Sequence, residues 1–138
     1  MKVQDAMAKT ISSASKTDTI EKIAKLMKKE DTGFIPITEG GTLVGVVTDR
    51  DIVIKCVAEG HSLAGETADH IMTRNPKTIS PQDDLEKAAQ AMEDREIRRL
   101  PVVEGDKLVG VLSHGNLVQA LKGQGAAKEA TVGVTRGA

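Results

Sequence analysis

The chain predicts an α+β fold made of two tandem β-α-β-β-α repeats packed face to face as one pseudo-two-fold module. Two observations carry this. The sequence repeats on itself at an offset of 65 positions, the distance from Met7 to Met72. Within each copy, one helical apolar pattern is followed by two short apolar runs around a glycine turn, and then by a second helical pattern. The offset places Met27 on Met92, Pro36 on Pro101 and Gly45 on Gly110, with no gap from Val3 to Val118. It also puts "LVGV" at Leu43 on "LVGV" at Leu108.

Each element follows from its residues. Short extended segments, Ile11–Ser13 and Pro76–Ile79, precede the first helices. Asp18 and Asp83 are expected to cap those helices, with Glu21 and Glu86 three residues on completing capping boxes. Ile20, Ile23, Ala24 and Met27 form one helical stripe; Leu85, Ala88, Ala89 and Met92 form the other. The strands "FIPI" and "LPVV" each contain a proline, which predicts an edge position or a strand end. "EGG" and "EGD" supply hairpin-turn chemistry. The following strands, Leu43–Val47 and Leu108–Leu112, are continuously apolar, so both faces are expected to be covered. The second helices start near Asp49 and His114. The expected organisation is residues 1–60 for the first repeat, 61–122 for the second and 123–138 as a flexible tail. The polar stretch Glu59–Thr67 reads as the linker.

Composition narrows the function. The 138 residues carry 28% charged side chains and a net charge of −1, which gives no global reason to expect nucleic acid or a membrane as partner. Phe34 is the single aromatic residue apart from histidines, so base-stacking platforms are disfavoured. Leu43–Val47 is far too short to span a bilayer, and the N-terminus lacks the apolar stretch of a secretory signal. The lone Cys56 cannot build an internal disulfide framework and points to a reducing cytoplasm. On the second helix it reads as a small core residue. No His/Cys pair has zinc-ligand spacing, and no nucleophile–base–orienter set stands out, so neither a metal site nor an enzyme is expected.

The chemistry concentrates at the strand–helix junctions. Thr48 can cap the second helix, and Asp51 three residues on can complete a capping box; this alone explains the spacing of Thr48-Asp49-Arg50-Asp51. The same geometry presents free N–H groups to a phosphate. The second copy reads Ser113-His114-Gly115-Asn116. The hydroxyl persists, but asparagine replaces the aspartate, so an acceptor oxygen becomes a donor NH₂ and the charge is lost. Asn116 also fits a purely local role in the first helical turn. Arg98 and Arg99 stand where the first copy has Gly33 and Phe34. The arginines also fit a solvated surface near Glu93, Asp94 and Glu96. Phe34 reads first as core and second as part of a base pocket.

A repeat of this length, with "hP[VI]" on the first hairpin strand and "LVGVhT/S-x-x-D/N" on the second, resembles a tandem CBS domain, or Bateman module. The resemblance covers roughly Val3 to Lys122, and "TDRDIVIK" is similar to stand-alone bacterial CBS pairs of the hypoxic-response type. It implies a non-catalytic sensor that binds an adenosine-containing ligand in the cleft between repeats: AMP, ADP, ATP or S-adenosylmethionine. It implies no catalytic cofactor, a homodimer in the form of a four-repeat disk, and an effector protein that reads the ligand state. By the same resemblance, Thr48 and Ser113 sit at phosphate or ribose, Asp51 and Asn116 at the ribose diol, and Arg99 at phosphate. Asp49, Arg50, His114 and Arg98 flank them. The adenine of one site would meet Pro76, Lys77 and Thr78; that of the other, Ile11, Ser12 and Ser13. The alternative is an interaction or assembly module with no small ligand.

Overall fold

A computed structural model describes residues 1–123; the expected tail falls outside the described residues beyond Gly123. In chain order the elements are α1 (Val3–Ala6), α2 (Ile20–Glu30), β1 (Phe34–Glu39), β2 (Thr42–Thr48), α3 (Asp49–Asp51), a π-helix (Ile52–Val57), α4 (Ala68–Ile71), β3 (Thr73–Arg74), α5 (Leu85–Arg95), β4 (Arg99–Glu104), β5 (Lys107–Ser113) and α6 (His114–Gly123).

The chain divides into two compact units that do not coincide with the sequence repeats. Ser12–Pro76 forms a middle unit, and Met1–Ile11 joins residues 77–123 in an outer unit. Each unit therefore takes its opening short helix from the other copy of the repeat. In the outer unit, Val3 N–H donates to Asp83 O (2.8 Å) and Leu85 N–H to Met1 O (3.0 Å). In the middle unit, the equivalent bonds are Ala68 N–H to Asp18 O (3.0 Å) and Ile20 N–H to Glu66 O (2.9 Å). The polar linker is thus docked on α2: Leu63 O also accepts from Glu21 N–H at 2.9 Å.

This docking corrects the expected caps. The N-cap of α2 is Thr19, whose hydroxyl accepts from Lys22 N–H, and that of α5 is Asp84. Asp18 and Asp83 instead accept from Ser15 N–H (2.8 Å) and Ser80 N–H (2.9 Å), closing the turn before each helix. The first donors of α2 and α5 are satisfied by carbonyls of the docked segment, so a side-chain cap at Asp18 or Asp83 is not needed. The turn bonds hold both carboxyls below the ordinary aspartate range, with Lys22 and Lys87 adding to the effect.

The docked segments also explain two features of the repeat. A Cβ on Gly45 would lie 2.8 Å from Met72 Sδ and 2.9 Å from Thr73 O. A Cβ on Gly110 would lie 2.6 Å from Met7 Sδ and 2.9 Å from Ala8 O. The glycine of "LVGV" in one copy and the methionine that opens the other copy are therefore halves of one contact, made once in each unit. Next to each contact a short pairing forms: β3 runs antiparallel to β2 through Val46↔Thr73, and Ala8 bridges Val111.

The hairpins follow expectation. β1 pairs antiparallel with β2, and β4 with β5, with a register shift at equivalent places, Ile37/Thr38 and Val102/Val103. The turns use left-handed Gly40 (φ +60°) and Gly105 (φ +67°). The strand prolines are tolerated because only their carbonyls are used on the outer side: Pro36 O accepts from Ala14 N–H at 3.0 Å, and Pro101 O from Ile79 N–H at 3.1 Å. Ile20, Ile23, Ile35, Ile37, Val47 and Cys56 fill the middle unit's core. Val3, Leu85, Leu100, Val102 and Leu112 fill that of the outer unit.

Candidate functional site

In each unit the hairpin's second strand ends at a hydroxyl residue that caps the next helix. Thr48 Oγ1 accepts from Asp51 N–H (3.1 Å), while Asp51 Oδ2 accepts from Thr48 N–H (3.0 Å). Ser113 Oγ accepts from Asn116 N–H (2.9 Å), while Asn116 Oδ1 accepts from Ser113 N–H (3.0 Å). An amide oxygen serves this local cap as well as a carboxylate does, so the cap by itself does not account for the Asp/Asn difference.

The surroundings of the two side chains do differ. Asp51 is buried, 7% exposed. Its carboxylate also accepts from Thr73 Oγ1–H (3.2 and 3.3 Å to the two oxygens) and pairs with Lys55 Nζ at 3.0 Å. Lys55 Nζ is held a second time by Ile71 O at 3.2 Å. At the 65-residue offset, Lys55 becomes Ala120 and Thr73 becomes Ala8. The copy with the carboxylate has a cation and a hydroxyl beside it; the copy with the amide has two methyl groups at those positions.

The partner strand completes each junction. Phe34 lies opposite Thr48, and Arg99 lies opposite Ser113 in the equivalent register. Phe34 is half-buried and lies outside the core cluster, which corrects its reading as core. It sits beside the cap because β1 begins there. Gly33 O accepts from Asp49 N–H (2.9 Å), and Arg98 O from His114 N–H (2.7 Å). A side chain at position 33 would meet the exposed Asp49 carboxylate, which would have to turn away. Arg98 is exposed and Arg99 half-buried. Arg50 is exposed, and its N–H donates to Asp49 Oδ1 at 2.9 Å. His114 Nδ1 is buried with no hydrogen-bond partner among the described residues. Burial, with Arg98 adding to it, lowers the His114 pKa below the ordinary imidazole value.

The extended segments lie where the chain crosses between units. Ile11 ends the outer unit's first segment and Ser12 and Ser13 begin the middle unit; Pro76 ends the middle unit, and Lys77 and Thr78 resume the outer one. Ser12 Oγ–H donates to Glu30 Oε1 at 2.7 Å. Lys55 and Thr73 were not legible as site residues. Lys55 stands four residues after Asp51, the acid-before-base spacing of a helical ion pair, and that was the available signal. Thr73 reaches Asp51 only through the β2–β3 pairing. Cys56 is buried as expected, and burial raises its thiol pKa.

Two copies of one β-hairpin-and-helix unit, each with a capped strand–helix junction, define a tandem-repeat module of the Bateman type. The CBS domain family model matches residues 3–57 and 68–123, and the chain belongs to the CBS-domain family. The CBS domain-containing protein YhcV of Bacillus subtilis is 38% identical over 116 residues, covering 83% of this chain and 81% of that protein. Hypoxic Response Protein I, solved with two coordinated zinc ions, superposes with a TM-score of 0.80 at 27% identity, covering 86% of this chain and 98% of that one. CBSX2 in complex with AMP gives 0.79 at 27% identity, over 88% of this chain and 96% of that one. The CBS pair of MJ0100, in complex with 5′-methylthioadenosine and S-adenosylmethionine, gives 0.79 at 28% identity, over 90% and 98%. Among the described residues, no group of three or more His, Cys, Asp or Glu side chains could hold a metal ion, and no helix is long and apolar enough to cross a membrane.

Proposed function

We propose that this chain is a non-catalytic sensor of an adenosine-containing ligand, bound at its capped strand–helix junctions. One observation carries the reading: the hydroxyl-and-Asx cap is kept in both copies while the groups around it change. Thr48 and Asp51 form the ribose side of one site. Ser113 and Asn116 form that of the other, with Arg99 at its phosphate side. Arg50, Asp49, His114, Arg98 and Phe34 flank them, and the backbone of 11–13 and 76–78 meets the base. The bound AMP of CBSX2 and the adenosyl ligands of MJ0100 support the ligand class. Ligand acts by its differential affinity for two arrangements of the protein, and an effector protein reads the shift.

Thermal unfolding with AMP, ADP, ATP and S-adenosylmethionine tests this. Ligand at about a hundred times its dissociation constant adds roughly 2.7 kcal/mol of stability, which raises the melting temperature by several degrees. No shift with any of the four at millimolar concentration refutes the reading. If one binds, Asp51→Ala weakens it more than Asn116→Ala does.

A second reading, an assembly module, is favoured by the exposed Val53 (54%), Ile54 (48%) and Val57 (56%), three large apolar residues on the π-helix. A homodimer built there loses its self-association in Val57→Lys, measured by sedimentation.

A further inference from the structure

The Asp51 carboxylate has few positions left for a ligand. A carboxylate offers about four lone-pair positions. Here the donors are Thr48 N–H at 3.0 Å, Thr73 O–H shared between both oxygens, and Lys55 Nζ at 3.0 Å. A ribose diol brings two O–H donors, so one resident donor has to leave. Thr48 N–H is fixed by the cap, and Thr73 by the pairing of β3 with β2. Lys55 is the movable one: its side chain is long and 44% exposed, and it reaches Asp51 from the next turn of the helix. That turn is where the first copy departs from regular α geometry. Ile52–Val57 is π-helical, with Ala58 N–H bonded to Val53 O at 2.9 Å, whereas α6 in the second copy is an α-helix with alanine at the position of Lys55. Such local widening often marks a functional position.

We infer that Lys55 is an internal competitor for the Asp51 carboxylate, and that ligand binding at the Thr48/Asp51 junction requires its ammonium to be displaced. This rests on the reading of Asp51 as the ribose acceptor. The junction at Ser113/Asn116 has no such competitor, because Ala120 carries no donor. The displaced ammonium is released beside the site, where it suits an anionic substituent. Lys55 therefore penalises an uncharged nucleoside and favours a phosphorylated one. It is a specificity residue acting through Asp51.

The test is an amide-resolved NMR titration of the full chain with adenosine and with AMP, following Thr73 for the first junction and Asn116 for the second. In Lys55→Met the adenosine dissociation constant at the first junction falls by up to about fivefold, the range of a partly exposed ion pair. The preference for AMP over adenosine narrows, and the second junction is unchanged. A merely structural lysine would lower ligand-free stability and weaken both ligands alike. Lys55→Gln, which keeps a donor for Ile71 O without the charge, gives the same result if the methionine variant folds poorly. Adenosine binding that is unchanged or weaker in both variants, with wild type still binding, overturns the competitor and leaves the nucleotide reading standing. If neither wild type nor variant binds either ligand, the nucleotide reading falls and the competitor with it.

Discussion

The junction at Thr48 and the junction at Ser113 share a backbone and differ in charge. Both caps are reciprocal, and both hydroxyl residues face the first residue of the partner strand. At Thr48 the charges lie on the helix side, as Asp51 with Lys55, and the strand side carries Gly33 and Phe34. At Ser113 the helix side is neutral and the strand side carries Arg98 and Arg99. The difference teaches that the cap is the scaffold the two copies share, while the charged groups lie on opposite sides of the two junctions. Asp51 and Asn116 each match their own neighbours: a carboxylate where an ammonium and a hydroxyl donate, an amide where two alanines stand.

The largest effect that can break this comparison is on stability. Asp51→Ala loses the cap and two further partners, and should cost about 3 kcal/mol. Asn116→Ala loses the cap alone, about 1 kcal/mol. Equal losses in denaturant unfolding would show that Lys55 and Thr73 contribute nothing. Next come the shared glycines. Gly45→Ala and Gly110→Ala each force a methyl against a backbone carbonyl 2.9 Å away. Each should cost about 2 kcal/mol, and by the same amount, because here the copies are alike. A large difference would mean that one docked segment is held more loosely.

A smaller effect tests whether the helix-side chemistry can be transplanted. Ala120→Lys should stabilise the chain only when Asn116→Asp is also present, with a coupling of about 0.3–0.5 kcal/mol. Simple additivity in the double-mutant cycle would sink the matched-neighbour account. The smallest effect is in pH. In the middle unit the hydrogen bond to Glu66 raises the His70 pKa above the ordinary 6.5, with Asp69 adding to it. His70 therefore contributes stability that is present below that value and lost as pH rises through its folded pKa. In the outer unit burial, helped by Arg98, lowers the His114 pKa below 6.5. Its contribution is present above 6.5 and is lost as pH falls from there towards the folded pKa. Imidazole titrations followed by NMR should place the two midpoints on opposite sides of 6.5; a shared midpoint would remove this distinction between the units.

Much of the fold was legible because it rests on local patterns. The repeat, the hairpins with their glycine turns, the edge prolines and the helix starts at Asp49 and His114 are all read from short-range spacing. The reciprocal caps at Thr48/Asp51 and Ser113/Asn116 belong to the same class, since a cap needs only four consecutive residues. The helix starts at α2 and α5 misled the reading for a physical reason. Their first donors are satisfied by a segment more than forty residues away in the chain, so Asp18 and Asp83 were free to close the preceding turn instead.

By itself, then, the amino-acid order determined that there are two like units, which elements each contains, and that hydroxyl and Asx side chains meet at each strand–helix junction. Only the tertiary structure decided which segment completes which unit. Short helices cannot bury their apolar face alone, so α1 and α4 are placed by the glycine gap and the backbone donors that receive them. That placement brings Thr73 to Asp51 and Ala8 to the equivalent place, and so it makes two similar four-residue motifs into two different sites.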